Sequence, residues 1–306
     1  MLARRRFLSL CAAASLPADS RAAESAGIID THTHFYDPDR PEGVPWPKPG
    51  EKLLYRRVFP AEYIALARPE GIAGTLVVEA SPWVEDNQWV LDLARDEPFI
   101  VGVVGNLDPL DPEFAARLAG FGKNPLFRGI RLPGSLLEKH GSSEAFITAL
   151  RRLADADLTL DLNGGNYLPH LPALVQAVPD LRVVIDHVGA AGDPAKLTPA
   201  WRDAMRLAAE VPTVFCKVSG MPEQTGRPEG QASTDPADYL PVLEAVWSWF
   251  GPKRVLFGSN WPVCTKGTSL AHVLGIVRPF FTRQGPEATA LYFRGNAETV
   301  YRFLKR

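Results

Sequence analysis

Ile28-Ile29-Asp30-Thr31-His32-Thr33-His34 is a short, β-branched run that ends in two histidines one residue apart. Branched side chains suit a pleated surface better than a helix, so the run predicts a strand. Side chains alternate faces along a strand, and residues two apart share one. The spacing therefore predicts Asp30, His32 and His34 on one face at the strand's end. Two neutral imidazoles there can chelate one metal ion. The same pair also reads as polar residues opening a loop, and His-x-His alone does not choose.

The rest of the chain repeats the pattern. After this first strand, β-branched runs at Thr75–Ala80, Ile100–Val104, Phe127–Leu132, Leu158–Leu162, Arg182–Asp186, Thr213–Val218 and Arg254–Gly258 read as strands two to eight. Amphipathic segments lie between them at Ala61–Ala67, Asn87–Arg95, Pro112–Gly120, Ser143–Ala154, His170–Ala177, Thr198–Glu210 and Asp238–Phe250. A final helix pair is read over Leu270–Phe281 and Pro286–Leu304. Strand and helix in strict alternation predict a parallel sheet with helical crossovers. Eight units with no segment left over predict an α/β fold closed into a single (β/α)8 TIM barrel, running over residues 27–306. The competing open sheet calls for a Gly-rich phosphate turn after its first strand, and none is present. No Gly-x-Ser-x-Gly elbow occurs, which removes the ordinary serine-esterase reading.

Composition sets wider bounds. The chain has 306 residues, 46% hydrophobic, with 33 basic against 35 acidic residues and a net charge of -2, so nothing favours nucleic acid or an anionic membrane as partner. A small-molecule substrate is the expected partner, and oligomeric state is not legible. Of the three cysteines, Cys11, Cys216 and Cys264, none forms a Cys-x-x-Cys, and free thiols are expected. Arg4-Arg5-Arg6-Phe7-Leu8, a short apolar run and the small residues Ala18, Ala22 and Ala23 follow one another as in a secretory signal. Arg-Arg-x-Phe-Leu resembles the twin-arginine export signal, so residues 1–26 are read as signal and linker, with a periplasmic destination. No other stretch approaches the ~20 apolar residues of a membrane span.

Barrel enzymes carry their chemistry at the C-terminal ends of the strands. Those positions hold His32 and His34, Glu79, Asn106 and Asp108, Arg131, Asp161 and Asn163, Asp186 and His187, Lys217 and Ser219, then Ser259 and Asn260. A polar group at each mouth, above apolar strand bodies, points to an active site. Individually, Asp161 and Asp186 also read as helix caps, and Lys217 as a structural partner of a carboxylate. His140 and His272 read as surface residues, and His170, in the loop entering a helix, reads equally as a surface residue or a ligand. Two Pro- and Gly-rich loops, Phe35–Arg57 and Met221–Asp238, suit covers over the mouth, with Trp46 and Trp261 placed to stack on a ring or to pack the rim.

These residues carry a resemblance. Ile-Ile-Asp-Thr-His-Thr-His-Phe on strand one, Phe-Arg-Gly-Ile-Arg on strand four, Val-Ile-Asp-His-Val-Gly on strand six, Phe-Cys-Lys-Val-Ser-Gly on strand seven and Val-Leu-Phe-Gly-Ser-Asn-Trp-Pro-Val on strand eight resemble the amidohydrolase superfamily. Within it they resemble the amidohydrolase-2 branch, which includes sugar-acid lactonases and pyrone-dicarboxylate lactonase. The resemblance implies a divalent metal such as zinc or manganese at His32, His34 and His187, or a metal-free site at which the histidines polarise the substrate. The branch's strand-eight motif carries an aspartate that accepts the proton of the attacking water, and here that position is Asn260. An amide can hydrogen-bond a substrate but cannot act as a general base near neutral pH. Glu79, Asp186 or His187 is then the candidate base. The reaction implied is the opening of a small lactone, with Arg131 and Asn163 binding the substrate and Lys217 holding the carbonyl oxygen as charge develops. A metal-dependent decarboxylase of the same superfamily, and a periplasmic binding protein that lost its chemistry with Asn260, are the alternatives.

Overall fold

The computed structural model describes residues 27–164 and 166–303; the export-signal reading of residues 1–26 lies outside them. Eight parallel strands run in chain order: β1 (Ile28–Thr33), β2 (Ile72–Val78), β3 (Ile100–Gly105), β4 (Phe127–Pro133), β5 (Thr159–Asn163), β6 (Arg182–Ile185), β7 (Val214–Val218) and β8 (Val255–Phe257). The ring closes where a bridge joins Thr33 to Trp261, with the Asn260 amide donating to the His32 carbonyl and the His34 amide to the Trp261 carbonyl. The fold is a (β/α)8 TIM barrel. No helix among the described residues is long and apolar enough to cross a membrane.

The crossover helices lie within a few residues of where the pattern puts them, and their starts are chemically marked. Ser143 and Thr198 accept from the backbone amides of Phe146 and Trp201, so each is a cap just outside its helix rather than the first helical residue. The segment Gly134–His140 is a short helix that the pattern leaves unassigned, since seven residues are too few to show a helical period. The last helix is broken, as a wide-turn stretch at Leu291–Gly295 separates Pro286–Ala290 from Asn296–Tyr301. That final piece plugs the bottom of the barrel: Ala297, Val300 and Tyr301 pack with Ile29, Val78, Val104, Val184 and Leu256 in the lumen. The outer core fills the space between strands and helices.

One expectation about β1 fails. Asp30 does not share the face of His32 and His34. Its Oδ2 accepts from Tyr63 Oη at 2.6 Å, on the helix Pro60–Ala67, and its Oδ1 accepts from the amides of His32 and Ser259. The cause is a bulge. Asp30 pairs with Thr75 but Thr33 pairs with Val77, so three steps on β1 span two on β2. One extra residue reverses the alternation beyond it. Asp30 faces the helices and straps β1 to β8, while His32 and His34 turn inward.

Candidate active site

A cavity of about 490 Å³ opens at the C-terminal end of the barrel. Its walls come from β1 (His34), β2 (Glu79), β4 (Arg131), β5 (Asn163) and the turns after β6 and β8 (His187, Asn260). The first long loop contributes Trp46, and the loop after β7 contributes Gly220, Glu223 and Gln224. Trp46 stands edge-on to His34, ring centres 5.8 Å apart.

Beneath the floor lies a fully buried charge cluster. Lys217 Nζ donates to Asp161 Oδ2 at 2.6 Å and lies 3.1 Å from Asp186 Oδ1 and 3.4 Å from His32 Nδ1. Tyr301 Oη donates to the same Asp161 oxygen at 2.7 Å, and Thr159 donates to the other. Arg131 Nε approaches Asp186 Oδ2 at 3.2 Å from the cavity side. Burial works to raise the Asp186 carboxyl, but Lys217, His32 and Arg131 outweigh it and hold it well below the ordinary range. Burial dominates at Asp161, whose carboxyl is raised. Both aspartates therefore belong to the barrel interior and neither carboxylate caps a helix; Asp186 bonds the turn after it through its carbonyl, which accepts from the Gly189 amide.

The three histidines are neutral near pH 7. Burial lowers His32 well below its usual range against the pull of Asp186. Burial, with Arg131 nearby, lowers His34 to about 3, and burial takes His187 to about 4 despite Asp186. Their partners separate their roles. His34 Nδ1 bonds the Val78 carbonyl at 3.0 Å and its ring also meets Asn260. His187 Nδ1 bonds Ser219 Oγ at 2.9 Å. His32 turns Nδ1 toward Asp186 at 3.4 Å and leaves Nε2 buried with no partner. Asp186, despite its charged neighbours, makes no well-angled hydrogen bond through either oxygen.

Among the described residues, His32, Asp186 and His187 can offer ligand atoms within 4.8 Å of one another. Two neutral imidazoles and an anionic carboxylate, with a buried His32 Nε2 that has no hydrogen-bond partner, fit a divalent cation such as zinc or manganese. The group differs from the expected set His32, His34 and His187 by one member: His34 turns Nδ1 to Val78 and its ring meets Asn260, and Asp186 lies with the other two.

The backbone around His187 is forced. His187, Val188 and Ala190 have φ of 52°, 48° and 54°, and Asn260 has 62°, a region side-chain-bearing residues rarely adopt. Gly220 sits behind the imidazole at φ 63°, and a Cβ there would lie 2.8 Å from His187 Nδ1. Gly220→Ala is therefore expected to push the ring off Ser219. Misplacement of about 1 Å costs on the order of 100-fold in rate. A kcat/KM within threefold of the parent would show that the ring position is not critical.

Two sequence expectations fall outside the cavity. Trp261 is 1% exposed and packs on Tyr63 and Phe35, since the β8–β1 bridge holds its backbone and turns the indole outward to the helices. Lys217 is also cut off: it lies under the floor and cannot hold a substrate carbonyl, because its ammonium is committed to two aspartates. At β3, Asn106 bonds Asn87 and the Pro82 carbonyl, and Asp108 caps a turn. His170 and His272 are exposed. Cys216 and Cys264 are buried free thiols.

One pair was not legible in the sequence. Asn260 Nδ2 donates to Glu223 Oε1 at 2.7 Å. Glu223 lies on the single turn Pro222–Gln224, away from every strand end. Burial raises its carboxyl to about 7. Across the cavity Glu79 is likewise raised by burial to about 7, with Arg131 opposing; Arg131 Nη1 lies 3.6 Å from its Oε1 and donates to its carbonyl.

A family model described as amidohydrolase matches residues 29–303. The chain belongs to the amidohydrolase family. An L-fucono-1,5-lactonase of Burkholderia ambifaria is 32% identical over 284 residues, covering 90% of this chain and 95% of that protein. An L-fucono-1,5-lactonase of Burkholderia multivorans is 29% identical over 272 residues, covering 81% and 86%. The crystal structure of an amidohydrolase from Burkholderia multivorans with bound zinc superposes with a TM-score of 0.82 at 27% identity, covering 91% of this amidohydrolase and all of that chain.

Proposed function

We propose that this amidohydrolase opens a small sugar-acid lactone, of the aldono-1,5-lactone kind for which its relatives are named, with zinc or manganese held by His32, Asp186 and His187. The observation that carries the reading is the unpartnered His32 Nε2 in a buried two-histidine, one-carboxylate group beside the cavity. When bound, such an ion polarises a carbonyl and lowers the pKa of bound water to ~7.

The chain's own residues supply the rest. Arg131 spends Nε on Asp186 and Nη1 on Glu79, which fixes its guanidinium plane and leaves Nη2 for a substrate oxygen. Trp46 covers an apolar ring face, and Asn163 offers a donor and an acceptor at the β5 end. Ser219 and Val78 fix the rings of His187 and His34, and Asp186 faces that of His32. The floor cluster keeps Asp186 anionic, so this carboxylate stays available as a ligand at neutral pH.

The test is turnover of five- and six-membered aldonolactones and a pyrone dicarboxylate, followed by acid release, alongside metal analysis of the same sample. Ring opening at least ~10³ above the spontaneous rate, with about one metal per chain, is expected. Carbon dioxide release from a hydroxybenzoate without lactone opening would move the protein to the decarboxylases. No turnover on any lactone would end the proposal.

A further inference from the structure

We infer that Glu223, held by Asn260, is the general base of this enzyme, supplying from the loop after β7 the carboxylate that the end of β8 lacks; this rests on the lactone-hydrolysis reading above. Water attack on an ester needs an acceptor for the water's proton, and the Asn260 amide is not one. Three carboxylates lie at or under the cavity: Glu79 and Glu223 line it, and Asp186 sits beneath its floor. Glu79 is engaged by the Arg131 guanidinium. Asp186 is neutralised by Lys217 and Arg131. Glu223 makes no ion pair among the described residues: its Oε1 accepts from Asn260, and its Oε2 is buried without a hydrogen bond from another residue. Burial without a cation disfavours the charged carboxylate, so Glu223 takes up a proton readily.

The turn that carries Glu223 is held from both sides. Gln224 Nε2 donates to the His187 and Gly220 carbonyls, and its Oε1 accepts from the Gly192 amide. On the β8 side, Pro222 packs so closely on Gly267 that a Cβ there would lie 2.7 Å from it. Glu223 is thus fixed against the His187 turn, as a base must be. Its carboxyl, raised to about 7, is balanced between accepting and returning a proton at neutral pH.

The step balances as follows. The water oxygen bonds to the lactone carbonyl carbon, and its proton passes to the Glu223 carboxylate. The ring C–O bond then breaks; the ring oxygen takes the electron pair and that proton, leaving as a hydroxyl. The new carboxylic acid loses its remaining proton to solvent, and Glu223 is again a carboxylate.

The experiment compares the full-length parent with Glu223→Gln, Asn260→Asp, the double variant and Glu79→Gln on the best aldonolactone. Glu223→Gln should lower kcat at least 100-fold with KM within about threefold, the range of a lost general base. The double variant should regain at least tenfold over Glu223→Gln, because it returns a carboxylate to the β8 end. Asn260→Asp alone should lose activity, since two adjoining carboxylates must share a proton. Glu79→Gln should act mainly on KM. A Glu223→Gln enzyme within threefold of the parent, or a double variant no better than Glu223→Gln, overturns the base assignment and leaves lactone hydrolysis standing. A parent silent on every lactone removes both.

Discussion

Lys217→Met should destabilise the protein by about 3–5 kcal/mol at pH 7, the cost of removing one partner from a buried ion pair. Lys217 is fully buried between Asp161 and Asp186, with His32 and the ring of Tyr301 as further neighbours. Methionine fills much the same volume, so the loss reports charge and not packing. Two carboxylates would then face each other with Arg131 as the remaining cation beside them and the hydroxyls of Tyr301 and Thr159 donating to Asp161. The deficit should shrink as pH falls. Asp161 is already raised by burial, and without the ammonium it rises further, so the folded variant binds more protons than its unfolded chain. Lowering pH from 7 toward 5 then favours folding. Urea unfolding at both pH values measures this. A loss below about 1 kcal/mol at pH 7 would mean that the cluster does not depend on its lysine.

His32→Ala should abolish both metal retention and turnover. The side chain is fully buried, its Nε2 is orphaned, and it stands 4.3 Å centre to centre from His187. Losing the metal removes several kcal/mol of charge stabilisation, or at least ~10³ in kcat/KM. The fold should survive, because Nε2 contributes no internal hydrogen bond and the Nδ1 contacts that are lost, to Lys217 and Asp186, are both long at 3.4 Å and leave those two paired with each other. Metal analysis and kcat/KM on one preparation decide it. Full metal content in the variant would place the ion elsewhere.

The two variants test different layers of one structure, and those layers differ in how far the sequence shows them. The barrel was legible because its signal is local and repeated. Ile100–Gly105 and Val214–Val218 each announce a buried strand, and Thr198-Pro199 announces a helix start. Strand ends were legible for the same reason, so His32, His34, Glu79, Arg131, Asn163, His187 and Asn260 could be named from position alone. The family motifs carried the histidines further than spacing could.

Direction and company were a different matter. Alternation fixes which residues share a face only while the register is unbroken, and one bulge in β1 turned Asp30 to the helices. Of two strand-end residues, Arg131 looks into the cavity and Lys217 stays beneath its floor; the difference depends on which carboxylates the neighbouring strands bring to each. Trp261 left the cavity because β8 pairs with β1, a contact between residues 228 positions apart. Glu223 had no local signal, since it lies on a loop whose course is set by Gln224, Gly192 and Gly267. By itself, then, the sequence determined the eight-fold alternation, the strand ends and the family. Only the tertiary structure decided that Asp186 joins His32 and His187, that Lys217 serves the floor and that Asn260 has a carboxylate beside it, because side-chain company is set by long-range packing that no local period encodes.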